Sequence, residues 1–233
     1  MPPCLCGGDT LKKVCPMNRT VMILAAYSMM ALAGCVGSGG AIAGGGGGGN
    51  GGGGAVGSIQ ERQNAAIALA PTTDLPVSGR ANYEGQVQVT IPGAALDAKG
   101  DVTVVGDVTL EVDFAAGSTS TLDGIAQNFQ GTLADGTTAP IAGSLLLNPA
   151  LSAVSRFDLP APASGSTGGL AAMYEGDLEF DGTTAAVDMT LQSQAFGAGA
   201  QAFSGVANAT VDFAHGEGTE FIAQGGIFIL TRQ

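Results

Sequence analysis

The stretch Asp177-Leu178-Glu179-Phe180-Asp181-Gly182-Thr183-Thr184-Ala185-Ala186-Val187-Asp188-Met189-Thr190-Leu191-Gln192 decides the fold. Leu178 and Phe180 alternate with acidic residues up to an Asp-Gly turn signal. Beyond it, Val187, Met189 and Leu191 alternate with Asp188, Thr190 and Gln192. Successive side chains of a strand point to opposite faces. Strict alternation therefore sets one row against a core and leaves the other in water.

The same period recurs outward in both directions. Val87, Val89 and Ile91 alternate with Gln86, Gln88 and Thr90, as do Leu110, Val112 and Phe114 with Thr109, Glu111 and Asp113. Val211 and Phe213 alternate with Thr210 and Asp212. Turn signals lie between the runs, among them Pro92-Gly93, Asp135-Gly136 and Asn148-Pro149. No segment of the body carries a long helical period. Eight runs result, at residues 81–91, 102–114, 121–132, 139–147, 169–180, 185–196, 201–213 and 220–231. Short links imply an antiparallel meander, whose two edges stay reactive unless the sheet closes. The expected fold class is all-β: one eight-stranded antiparallel up-and-down β-barrel, with a two-sheet sandwich as the alternative. Glycines inside the runs, such as Gly85, Gly106, Gly124 and Gly205, relieve crowding where strands bend and favour closure.

Ahead of the body stands an address. Residues 21–33 form an apolar run behind Arg19, too short for a membrane span of about 20 residues. A positive flank, a short apolar core and small residues before a cut site describe a secretory signal over residues 1–34. Met17 begins a complete signal by itself, so the true start could lie there. Residues 35–57 hold long glycine runs whose backbone entropy opposes ordering, which implies a flexible tether. Residues 58–76 are a linker or a short helix ended by Pro71, and residues 77–233 are the barrel domain.

Two resemblances sharpen this outline. Leu32-Ala33-Gly34-Cys35 resembles the lipobox of bacterial lipoproteins. That resemblance implies cleavage between Gly34 and Cys35 and acylation of the Cys35 thiol. In the body, Tyr83-Glu84-Gly85 and Tyr174-Glu175-Gly176 repeat one unit; Val112-Asp113-Phe114-Ala115 and Val211-Asp212-Phe213-Ala214 repeat another. With Phe203-Ser204-Gly205 and Ala223-Gln224-Gly225-Gly226-Ile227-Phe228, the set is similar to the barrel domain of the transferrin-binding protein B and factor H-binding lipoproteins. The resemblance implies an eight-stranded barrel on a lipoprotein of the Gram-negative outer membrane, on its periplasmic face or at the cell surface, with a binding function. The chain has room for one barrel and no handle domain, and no motif identifies a transferrin or factor H loop.

Charge and chemistry narrow the function classes. Cys4, Cys6, Cys15 and Cys35 all precede the body, so neither a disulfide nor a Cys-ligated metal is available there. From Cys35 onward, five basic residues face nineteen acidic ones, a formal charge near −14. That balance disfavours nucleic acid and suits a partner with basic patches. The lone His215 sits in a glycine-rich turn without a serine motif, so no catalytic residues, metal ligands or cofactor are expected. Glu111/Asp113 and Asp177/Glu179/Asp181 are read as solvated outward rows rather than calcium ligands. Tyr83, Tyr174, Phe114 and Phe213 are assigned to the core. Three roles remain open: a protein or solute binder using loops 94–101 and 152–167, a lipocalin-like carrier, or an envelope spacer without a specific ligand. Partners are thus the membrane, through Cys35, and a protein or small solute not named by the sequence.

Cys35→Ser is expected to abolish both acylation and cleavage. Metabolic labelling with palmitate should leave the variant unlabelled, and on gels it should run larger by its retained leader. A labelled variant would sink the lipobox assignment.

Overall fold

The computed structural model describes residues 56–93, 96, 100–114, 120–213 and 220–233. Gly34, Cys35, the expected leader over residues 1–34, the expected tether up to residue 55 and His215 lie outside the described residues. One helix, α1 (Val56–Ile67), precedes nine strands: β1 (Gly79–Ile91), β2 (Val102–Phe114), β3 (Thr121–Thr132), β4 (Thr138–Leu147), β5 (Ala153–Asp158), β6 (Ser166–Phe180), β7 (Thr183–Phe196), β8 (Ala202–Phe213) and β9 (Glu220–Arg232). Eight of them close into an antiparallel barrel in the order β1-β2-β3-β4-β6-β7-β8-β9. The two-sheet alternative is thereby excluded. One seam runs from Tyr83↔Arg232 to Thr90↔Gln224 between β1 and β9, the other from Ala142↔Glu179 to Leu147↔Tyr174 between β4 and β6.

The ninth strand corrects the sequence reading, which made residues 152–167 a loop. β5 pairs with the first half of β6, from Ala153↔Ala171 to Asp158↔Ser166, and so prolongs the line of β4. A single 3-10 turn at Pro149–Leu151 separates β4 from β5, with the Asn148 side chain accepting from the Ala150 amide at 3.1 Å. The connecting loop shrinks to residues 159–165. Within β5 only Val154 is buried, so its alternation is too brief to register as a pattern.

Inside the barrel the oily rows meet. Val87, Leu110, Val112, Leu145, Met189, Leu191, Phe203, Phe228 and Leu230 are fully or almost fully buried in one cluster. The opposite row, including Glu111, Asp177, Glu179, Asp188 and Asp212, is exposed. A transmembrane barrel turns its apolar row outward to lipid; here that row faces inward. Among the described residues no helix is long and apolar enough to cross a membrane. Register shifts at Gln88/Thr90, Val105/Asp107, Ala126/Phe129 and Ala207/Ala209 interrupt the ladders. Such bulges add the local twist that a small closed sheet needs.

The strand glycines do more than ease bending. A Cβ on Gly85 would overlap the Ile229 carbonyl across the β1–β9 seam. One on Gly106 would overlap the Phe129 ring, which lies over the bare backbone of β2. These positions are empty because a neighbouring backbone or ring fills the space.

α1 lies on the outside of the barrel. Ile59, Gln63 and Ala66 form its buried stripe at helical spacing, packed with Phe196, Ala202 and Ile229. The Gln63 amide donates to the Gly205 carbonyl at 3.0 Å. Ala70 takes a left-handed conformation, φ 66°, and Pro71 follows, which together end the helix. The chain then stitches itself to one end of the barrel. Thr72 donates from its amide to Ala195 and from its hydroxyl to Gly197, at 2.9 and 2.6 Å, and the Ser166 amide donates to the Thr73 carbonyl at 2.8 Å. Leu75 enters the core.

Gly85→Val is expected to destabilise the barrel by about 2–3 kcal/mol or more, because the clash is with backbone that cannot rotate away. Urea unfolding followed by circular dichroism measures it. A variant as stable as the parent would contradict the tight β1–β9 seam.

Candidate functional site

Among the described residues, apolar side chains from all eight barrel strands pack into the interior. Tyr83 and Phe203 lie with ring centroids 4.9 Å apart. At the opposite end, Phe180, Phe213 and Phe221 stack edge-on at 5.6 and 6.2 Å. The end nearest α1 is covered by the stitched segment around Thr72 and Leu75. Tyr83 and Tyr174 are both 0% exposed, and Phe114 and Phe213 are buried, as their strand positions imply.

The two tyrosines satisfy their hydroxyls on the wall. Tyr83 donates to the Ala200 carbonyl at 2.8 Å, and Tyr174 to the Thr109 carbonyl at 3.3 Å. Gly124 leaves room for the Tyr174 hydroxyl, which a Cβ there would approach to 3.0 Å. Burial pushes the Tyr83 phenol up to about 12 against a small opposing pull from Arg232. Tyr174 is raised further, by burial and then by the Asp123 carboxylate. Both phenols are protonated structural anchors at neutral pH.

On the outer wall the charges are unevenly spread. On β1 and β2, Arg80 pairs with Glu111 at 3.5 Å and Asp113 at 3.1 Å. From Phe157 to Thr231 the sequence contains no Lys or Arg at all, so β6, β7 and β8 carry only acidic charges. Their register gathers those charges: Glu175 opposes Asp188, and Asp177 and Asp212 flank Ala186. Like-charged side chains facing one another on a strand pair repel. Among the described residues no group of three or more His, Cys, Asp or Glu could hold a metal ion. The period-two spacing spreads Asp177, Glu179 and Asp181 along β6 and its turn.

A second acidic feature is a groove of about 410 Å³ across β1, β2 and β3. Glu84, Glu111 and Asp123 line it, and Leu146, 62% exposed, rims it. Asp123 and Glu111 are register partners. The groove escaped the sequence reading because its residues come from four strands. Of the loops expected to bind, residues 94–95 and 97–99 lie outside the described residues, and 152–167 is largely strand.

Comparison with protein-family models, with curated proteins and with solved structures found no match.

The tyrosines give a pH signature. Tyr27 precedes residue 35 and the chain has no Trp, so ultraviolet titration of the chain from residue 35 reports Tyr83 and Tyr174 alone. Each phenol keeps its proton in the fold where the unfolded chain has released it. Their stabilisation is complete below pH 10 and is lost as pH rises toward 12, the raised value of Tyr83. The slope should be about 1.4 kcal/mol per pH unit for each tyrosine. Ionisation of both near pH 10, in a chain still folded by circular dichroism, would refute their burial.

Proposed function

We propose that this protein is a non-enzymatic, lipid-anchored lipoprotein of the outer membrane whose transferrin-binding-protein-B-like barrel holds a partner on its outer surface. The observation that carries this reading is the cation-free wall of β6, β7 and β8 around a packed interior. Buried rings packed inside the barrel favour this reading over a carrier of the lipocalin kind, which needs internal space. Long-range attraction from an acidic wall selects partners with basic surfaces and speeds their encounter. The lipobox at Gly34-Cys35, the tether and the repeated Tyr-Glu-Gly and Val-Asp-Phe-Ala units support the anchoring and the family kinship. The partner is then a protein or solute with exposed positive charge, and nucleic acid is disfavoured by the same electrostatics.

The test is capture of partners from envelope and host fractions with the chain from residue 35 carrying Cys35→Ser. The triple variant Asp177→Asn, Glu179→Gln, Asp212→Asn should weaken capture about tenfold or more, and added salt should do the same. Capture indifferent to both changes would sink the wall as the binding surface. A small molecule bound inside the barrel, co-purifying with it and found by mass spectrometry, would favour the carrier instead.

A further inference from the structure

Two arginines mark one place on this acidic molecule as different. Arg62, on α1, and Arg232, at the end of β9, line an open crevice of about 630 Å³ between helix and barrel. Arg80 is neutralised by Glu111 and Asp113, and Arg156 lies 3.9 Å from Asp158. Among the described residues, neither Arg62 nor Arg232 has a carboxylate partner. Arg62 donates to the Gln86 side-chain oxygen at 3.0 Å, and Arg232 to the Gly199 carbonyl at 3.2 Å. A guanidinium carries five N–H donors in a rigid fork, so both keep donors to offer an anion. The apolar part of the lining is Ala65, Ala66 and Leu69 from α1 and Ala202 from β8, and Gln201, Thr231 and Gln233 supply its remaining polar part. Leu69 is 47% exposed, an oily side chain held open to water beside two cations.

We propose that this crevice binds an amphipathic anion, its carboxylate or phosphate head between Arg62 and Arg232 and its apolar chain along Ala66, Leu69 and Ala202. The volume falls within the range of small-molecule sites. Charged head and oily tail each meet their complement, and nowhere else among the described residues do two arginines free of carboxylate partners share a crevice. The site uses other residues than the acidic wall and stands whether or not that wall binds a partner. A free fatty acid or alkyl phosphate and an anionic bilayer lipid share this chemistry.

Calorimetric titration of the chain from residue 35, carrying Cys35→Ser, with laurate and with dodecyl phosphate tests the site. Saturable binding is expected, weakened about tenfold or more in Arg62→Gln/Arg232→Gln, whose exposed positions leave the fold intact. Leu69→Asn should weaken both ligands while retaining the cations. Equal affinity in the double arginine variant, or inorganic phosphate binding as tightly as dodecyl phosphate, would overturn the proposal. Co-sedimentation with phosphatidylglycerol vesicles, lost in the arginine variant, assigns bilayer lipid as the source. Binding to the monomeric amphiphiles without co-sedimentation assigns a free one.

Discussion

Everything in this structure depends on the closing of the sheet. An open meander of eight strands would leave two rows of backbone N–H and C=O groups without partners. Here the ladders between β1 and β9 and between β4 and β6 close the eight-stranded sheet, and among the named strands only β5, paired with β6 alone, keeps a side without a ladder. Closure also creates the core, because only a curved sheet brings the inward rows of all eight strands within reach of each other. No disulfide is available to the body, since its sequence has no Cys after Cys35. Backbone pairing and apolar packing are therefore left to hold it. The seams tolerate little: where Gly85 meets Ile229, the two backbones approach so closely that even a methyl group has no place.

Much of this was legible in the sequence, for a definite reason. Alternation such as Val187-Asp188-Met189-Thr190-Leu191 is a local signal, and each strand announced itself independently of its neighbours. Eight strands with short links leave few ways to avoid edges, which made the barrel the leading choice. What escaped was either too short or too dispersed. β5 buries one side chain, Val154, and lies between Pro149 and Pro160, so it reads as a loop. Its pairing depends on the far half of β6, which no local pattern reveals. Tyr83 and Tyr174 were placed in the core by parity, but their hydroxyl partners, Ala200 and Thr109, are distant in sequence. The crevice joins α1 to the last residues of β9, and the acidic groove draws on four strands. Surfaces of that kind come into being only when the ends of the chain meet.

The distribution of charge follows from the same geometry. A strand with one face in the core must place all of its charged residues on the other. In β6, β7 and β8 that outer row is acidic without a single compensating cation, whereas β1 and β2 moderate their carboxylates with Arg80. The barrel thus has a partly neutralised side and a uniformly negative one. A molecule so divided presents different faces to different neighbours, and a basic partner has one preferred approach.

The stitched segment after α1 has a mechanical consequence. Tension applied to the chain ahead of Val56 does not act directly on β1. It must first lift Ile59 and Ala66 from Phe196, Ala202 and Ile229, and then break the bonds from Thr72 and Thr73 to Ala195, Gly197 and Ser166. Those anchors belong to β6, β7 and the turn after it, far from β1 in the chain but well inside the sheet. A load is thereby shared across several strands before it reaches the first ladder of β1.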